Sequence, residues 1–215
     1  MTDQVDVLLW DCDGVLQHGR FDWRQHIDRT VRPGFSTKLF EAEQPALRGE
    51  RSLRAVLEEL LVKDERQFGD PGVTVDDLLD IWDQFDLDPD AMAVLAAVRE
   101  LGVPCLLATN KQDHRVRLMR RVRGYDDLVD GSYYSSEIGA MKPDRRFFEH
   151  VVADLDMDAG RIGFIDDLHS NVDAAREVGI RAVRHDPESG APGIIDALDE
   201  LLPNLAHRMA ALRAE

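Results

Sequence analysis

Cysteine is nearly missing from this chain, with only Cys12 and Cys105 in 215 residues. They stand far apart and without metal-ligand spacing. That excludes a disulfide scaffold, argues against a structural zinc site and suits a reducing, cytoplasmic setting. Cations are also scarce: 26 Lys and Arg face 42 Asp and Glu, for a formal charge of −16. A nucleic-acid backbone would be repelled by such a chain unless its cations were gathered into one patch. The locally basic stretch of Lys111, Arg115, Arg117, Arg120, Arg121 and Arg123 has no interleaved aromatics and reads as a solvated helix face, so no nucleic-acid partner is expected. No apolar run approaches the roughly 20 residues that span a bilayer, so no membrane partner is expected either. The opening MTDQVDVLLW is acidic where a secretory signal would be basic, and export is not expected.

What the chain does contain is an alternation of short apolar runs and amphipathic segments. Val5 to Trp10 reads as a buried strand, and so do Val103 to Thr109, Arg161 to Ile165 and Ile180 to Val183. Between them, Ala91, Val94, Leu95, Val98 and Leu101 keep helical spacing behind Asp88-Pro89, a cap and first-turn pair, with Gly102 as the stop. Val116, Leu118, Met119 and Val122 mark a second helix, and Val172, Ala175 and Val178 a third, ended by Gly179. A late helix carries Ile194, Ile195, Leu198, Leu201 and Leu202 up to Pro203. This order predicts an α/β fold, a doubly wound parallel sheet with right-handed crossovers. Residues 17–87 interrupt the pattern with helices and no convincing strand. The clearest has Leu53, Val56, Leu57, Leu60 and Leu61 along one stripe. The expected organisation is a core of residues 1–16 and 88–215 with an inserted helical cap at 17–87. Trp10 and Trp23 are expected to be buried rather than to form an interface.

Polar residues follow directly on three of the predicted strands: Asp11 and Asp13, Thr109 and Asn110, and Asp166 and Asp167. Ligands of open parallel sheets bind at those carboxyl ends. Four carboxylates sharing one small volume would repel one another unless cations were present. Their oxygens, with no His or Cys among them, suit Mg²⁺ rather than zinc. Lys142, in Gly139-Ala140-Met141-Lys142-Pro143-Asp144, is the candidate second cation.

With its segments in the order Asp11-Cys12-Asp13-Gly14-Val15, Leu106-Leu107-Ala108-Thr109-Asn110, Lys142-Pro143-Asp144 and Phe164-Ile165-Asp166-Asp167, followed by Asn171, the chain resembles the haloacid dehalogenase superfamily. It is most similar to phosphatase-type members with a small helical cap inserted after the first motif. The resemblance implies that Asp11 attacks phosphorus and that Asp13 protonates the leaving oxygen and later activates water. It implies that Thr109, the Asn110 N–H and Lys142 hold the phosphoryl group, with Cys12 and Gly14 in the phosphate-binding loop. Asp11, Asp166, Asp167 and the Asp13 carbonyl would hold Mg²⁺. Asp13 favours phosphate esters over haloacids. The expected activity is a Mg²⁺-dependent phosphatase for a small phosphorylated metabolite such as a sugar phosphate. The alternatives are a hexose phosphate mutase or a non-catalytic phosphate- or metal-responsive binding module. Within the cap, His18, Arg20, Trp23 and His26 are candidates to meet the leaving group. Trp82 and Phe85 read as cap core, and Lys111 and His114 lie near the catalytic end.

Overall fold

The computed structural model describes residues 4–212, so the outermost residues of the expected core, 1–3 and 213–215, lie outside the described residues. In chain order the strands are β1 (Val7–Trp10), β2 (Gln17–Gly19), β3 (Phe85–Leu87), β4 (Cys105–Thr109), β5 (Gly131–Tyr134), β6 (Ile162–Asp166) and β7 (Arg181–Arg184). Five of them form a parallel sheet in the order β5-β4-β1-β6-β7. The chain therefore winds outward from β1 in both directions, which is the doubly wound α/β architecture.

Alternation along β1 shows why the sheet is buried on both faces. Leu8 and Trp10 enter one apolar layer, together with Val94, Leu95 and Val98 of helix Pro89–Glu100 and Leu198 of helix Gly190–Asp199. Val7 and Leu9 enter the opposite layer, against Phe147, Phe148 and Val151 of helix Arg145–Leu155 and Val172 of helix His169–Glu177. A strand with both faces covered has no polar side to show, hence the unbroken Val-Leu-Leu-Trp run. Asp88 caps Pro89–Glu100 by accepting from the Asp90 and Ala91 N–H groups at 2.9 and 3.0 Å.

Between β2 and β3 lie helices Trp23–Thr30, Phe35–Ala42, Gln44–Leu47, Leu53–Phe68 and Val75–Trp82. They close around an apolar cluster of their own, in which Ile27, Leu39, Leu57, Leu78 and Trp82 are buried and Leu60 and Leu61 pack at the edge. Ser52 and Thr74 cap the last two, Thr74 in a reciprocal capping box with Asp77. The segment is not wholly helical as expected: β2 and β3 pair as an antiparallel ribbon. Arg20 and Asp86 close the ribbon at 2.8 Å. Strands of three residues with polar members carry no apolar run for a sequence pattern to register. The edge strand β5, Gly-Ser-Tyr-Tyr, was not anticipated for the same reason.

Three other expectations change. Val122 does not continue the stripe of helix Asp113–Arg121; it caps that helix and is 71% exposed. Lys111 and Arg115 are buried, not on a solvated face. Leu201 and Leu202 are buried beyond the end of helix Gly190–Asp199, ahead of helix Leu205–Leu212. Trp10 is fully buried and Trp23 partly so. No helix among the described residues is long and apolar enough to cross a membrane.

Candidate active site

Parallel register places the polar strand ends on one edge of the sheet. Trp10 is level with Leu107 of β4 and Ile165 of β6. Asp11, Thr109 and Asp166 therefore emerge side by side where those strands stop, and the Asp11 N–H still donates to the Ile165 carbonyl at 3.0 Å. Lys142 arrives from a loop before helix Arg145–Leu155. That loop is fastened to the end of β4 twice: the Lys142 N–H donates to Asn110 Oδ1 at 2.9 Å, and Asn110 Nδ2 donates to the Lys142 carbonyl at 2.8 Å. Its ammonium lies 2.9 Å from Asp11 Oδ1 and 2.6 Å from Asp166 Oδ2. Asn171 Nδ2 reaches both Asp166 oxygens at 3.0 Å, and the Leu168 N–H donates to Oδ1 at 2.8 Å. The hydroxyl of Thr109 is buried beside the Cys12 thiol and has no oxygen or nitrogen partner. An unpaired buried hydroxyl is costly, so this one suits an acceptor that arrives with a ligand.

Charge is unbalanced at this edge. Burial opposes the charge of Lys142, but Asp11 and Asp166 more than offset it and hold the ammonium above its ordinary range. Burial and then Asp11 push Asp166 up, with Lys142 acting against them. Burial, followed by Asp11 and Asp166, pushes Asp167 up to about 7. Three carboxylates thus share one ammonium. Asp11, Asp166 and Asp167 can each present an oxygen within 4.8 Å of the others. An all-oxygen set with excess negative charge fits a hard divalent cation such as Mg²⁺.

The Asp13 carboxylate does not join that group. It is turned toward Lys111 Nζ at 2.5 Å and Gln17 Nε2 at 2.5 Å, with Arg115 Nη2 at 3.5 Å. Desolvation works against its charge, but Lys111 and Arg115 prevail and hold Asp13 well below the usual carboxylate range. Tyr125 donates to Gln17 Oε1 from behind. Cys12 contributes through its carbonyl, which accepts from the Val15, Leu16 and Gln17 N–H groups at 3.2, 2.9 and 3.0 Å. Its thiol is buried and pushed up by burial to about 12, so it is packing rather than a reactive group. Gly14 adopts φ +82°, and a Cβ there would meet Asp167 Oδ2 at 2.7 Å. Its own N–H is taken by the Gln17 carbonyl at 2.9 Å. Gly14 thus serves the loop's close approach to Asp167 rather than offering an N–H to phosphate.

Beyond Asp13 a cavity of about 170 Å³ separates the inserted helices from the sheet edge, lined by Asp13, Trp23, Glu43 and Trp82 among others. Of the candidates near the nucleophile loop, Trp23 alone borders it. His18 is exposed on β2, Arg20 pairs with Asp86, and His26 stacks on Phe21 with centroids 4.1 Å apart. His114 sits 2.7 Å from Asp83. Trp82 is buried among the inserted helices, whereas Phe85 belongs to the sheet's apolar layer. The sequence reading missed Glu43, 5% exposed, whose Oε1 accepts from Trp82 Nε1 and Gln112 Nε2, both at 3.2 Å. Burial lifts its carboxyl to about 7, against those two hydrogen bonds and the nearby Lys111 and Arg115. Only the docking of the two parts brings Glu43 to Gln112.

The family model for haloacid dehalogenase-like hydrolases matches residues 5–179. The chain is 35% identical over 96 residues to sesquiterpene phosphatase astK of Aspergillus oryzae, covering 44% of this chain and 49% of that protein. It is 33% identical over 95 residues to phosphatase MT3486 of Mycobacterium tuberculosis, covering 44% of each. The chain thus spans about half the length of these curated relatives, or less. Against the GMP/IMP nucleotidase YrfG of Escherichia coli, identity is 26% over 197 residues, with 82% of this chain and 81% of that one covered. Among solved structures, a predicted HAD-like family hydrolase from Porphyromonas gingivalis superposes with a TM-score of 0.74 at 20% identity, covering 94% of this chain and 99% of the other. A magnesium complex of a HAD family enzyme from Bacteroides thetaiotaomicron gives 0.71 at 21% identity, covering 85% and 94%. At these identities the two superpositions speak for the shared fold.

Proposed function

This chain belongs to the haloacid dehalogenase-like hydrolase family, and from that premise we propose that it is a Mg²⁺-dependent phosphatase acting on a small phosphorylated metabolite. The observation that carries the reading is the buried Thr109 hydroxyl, without an oxygen or nitrogen partner, beside an ammonium and three acids. It supports a site made for a phosphoryl group. The relatives named as phosphatases and as a nucleotidase favour a phosphate ester over a haloacid.

In this reading an Asp11 oxygen attacks phosphorus and the ester P–O bond breaks, giving an aspartyl phosphate and an alcohol. The leaving oxygen takes its proton from Asp13, whose neutral form is favoured when a phosphate dianion stands beside it. Water then attacks the phosphoenzyme and gives a proton back to Asp13, releasing inorganic phosphate and free Asp11. The ionised state that Lys111 and Arg115 impose on Asp13 is the one this second step uses. Thr109 donates its hydroxyl to a phosphoryl oxygen, and Lys142 offsets charge on Asp11 and on the transferring group. Asn110 holds Lys142 in place through its backbone. Asp11, Asp166 and Asp167, with the Asp13 carbonyl, would hold Mg²⁺, which when bound supplies positive charge toward the phosphate.

Residues 17–87 act as a cap over this edge, and excluding water is its contribution. A sugar phosphate is one member of the substrate class. Two buried free thiols agree with a cytoplasmic setting, and no nucleic-acid or membrane partner is invoked. Release of inorganic phosphate from a panel of phosphate monoesters, with and without Mg²⁺ and with Asp11→Asn as control, is the test. Turnover that needs Mg²⁺ and Asp11 is expected. Isomerised sugar phosphate without phosphate release would point to a mutase, and tight Mg²⁺ and phosphate binding without turnover to a binding module.

A further inference from the structure

We infer, resting on the phosphatase reading above, that the cavity between Asp13 and Glu43 receives the leaving group, and that this group is a small, mainly apolar alcohol with one hydrogen-bond donor directed at Glu43. Position is the first argument. Asp13 borders the cavity and stands two residues from Asp11 in the same loop, so an alcohol whose oxygen lies at Asp13 extends into this space.

Size is the second. At about 170 Å³ the cavity falls below the roughly 300 Å³ at which pockets for drug-sized ligands begin. The cavity is open on one side, so a nucleoside or a prenyl chain would leave most of its length outside these walls.

The third argument is polarity. Trp23, Phe40, Leu47 and Trp82 give the cavity apolar walls. Its polar side chains are mostly engaged, although Trp23 Nε1 and Arg115 Nε are buried donors without a partner. Asn110 clamps Lys142, Lys111 and Arg115 hold Asp13, and Gln112 donates to Glu43 while accepting from the Arg115 N–H. Glu43 is different. Both of its donors reach Oε1, and Oε2 has no hydrogen-bond partner among the described residues. Above about pH 7, where the kinetic comparison is made, the carboxyl is ionised and Oε2 only accepts, so the group that meets it there is a donor, either a hydroxyl or an ammonium. A sugar would bring several hydroxyl donors where Glu43 Oε2 is the one unengaged side-chain acceptor, and each donor left unpaired costs free energy.

The test compares kcat/KM for 3-hydroxypropyl, 3-aminopropyl, butyl and methyl phosphate, glucose 6-phosphate and inosine monophosphate in wild type, Glu43→Gln and Leu47→Phe. In Glu43→Gln the Trp82 and Gln112 donors hold the amide oxygen and leave its NH₂ for the cavity, replacing an acceptor by a donor. The wild type is expected to prefer one or both three-carbon donors over butyl phosphate by tenfold or more, and Glu43→Gln to erase that preference. The hydroxyl and amine arms identify which donor is used. Leu47→Phe keeps Glu43 but narrows the cavity, and is expected to lower butyl relative to methyl phosphate. An unchanged donor preference in Glu43→Gln, or faster turnover of glucose 6-phosphate or inosine monophosphate than of the small esters, overturns the inference. If wild type hydrolyses none of these esters, the phosphatase reading fails. The cavity is then judged by tryptophan fluorescence, because Trp23 and Trp82 border it. Binding of 3-hydroxypropyl or 3-aminopropyl phosphate at least tenfold tighter to wild type than to Glu43→Gln upholds the assignment, and equal affinity for both overturns it.

Discussion

Glu43→Gln should change how stability depends on pH, whatever the substrate proves to be. Burial raises the Glu43 carboxyl from 4.5 to about 7 in the folded protein. The folded state therefore holds this proton more tightly than the unfolded chain does. The stabilisation from protonated Glu43 is complete below about pH 4.5 and is lost as pH rises through about 7. At about 1.4 kcal/mol per tenfold change in proton affinity, the full swing is on the order of 3 kcal/mol, of which about 2–3 kcal/mol falls between pH 5 and pH 8. Glutamine keeps an oxygen for Trp82 and Gln112 but has no proton to lose. Urea or thermal unfolding of both proteins across this range, without ligand, reads the difference directly. The variant should gain on wild type by about 2–3 kcal/mol from pH 5 to pH 8, or about 5–10 °C in Tm for a chain of this size. Groups common to both proteins cancel in that comparison. Parallel pH profiles would mean that Glu43 is ionised as easily in the folded state as in water, and the account of it as a desolvated carboxylate would be wrong.

Asp13→Asn should lower kcat by about 10²–10⁴ on alkyl phosphates. With p-nitrophenyl phosphate, whose leaving group needs no proton, phosphoenzyme formation should be spared and a burst of nitrophenolate seen; equal losses on both substrates would count against a proton role. Lys142→Met removes the ammonium between Asp11 and Asp166 and should destabilise the metal-free protein by about 3–5 kcal/mol, as for other broken buried pairs. Mg²⁺ should restore part of that in urea unfolding, and no difference between EDTA and Mg²⁺ would separate the lysine from the cation site. Gly49→Ala would drive a Cβ into the Ser136 carbonyl at φ +69°, while Gly34→Ala at φ +80° meets nothing within 4 Å. Both carry backbone strain of about 1–3 kcal/mol. Only Gly49→Ala should also raise KM, by forcing the inserted helices away from Ser136, and matching kinetics for the two variants would refute that contact.

The strands that position the site were legible because burial on both faces demands unbroken apolar runs, and the acids that end them stand out against that background. Asp11 after Val-Leu-Leu-Trp and Asp166 after Ile-Gly-Phe-Ile are cases where the local pattern and the tertiary role coincide. β5 lacks such contrast because it is an edge strand with Gly131 and Ser132 only part-buried. Glu43 and Gln112 carry no signal at all, since their contact exists only once the inserted helices meet the sheet edge. Arg115 was misread for a related reason. Helix Asp113–Arg121 carries Arg115, Arg117, Arg120 and Arg121, and nothing local tells the buried one from the solvated ones.

That buried arginine gives the docking of the two parts its physical content. Arg115 Nη1 donates to the Trp82 carbonyl at 2.9 Å, while Nη2 lies 3.5 Å from Asp13. Its guanidinium lies over Phe85 of β3 at 4.0 Å and over Trp23 at 5.2 Å. One fixed cation thus touches Asp13, the far end of the inserted segment and the ribbon that leads back to the sheet. A guanidinium cannot discharge when it is buried, so it must keep polar partners on both sides.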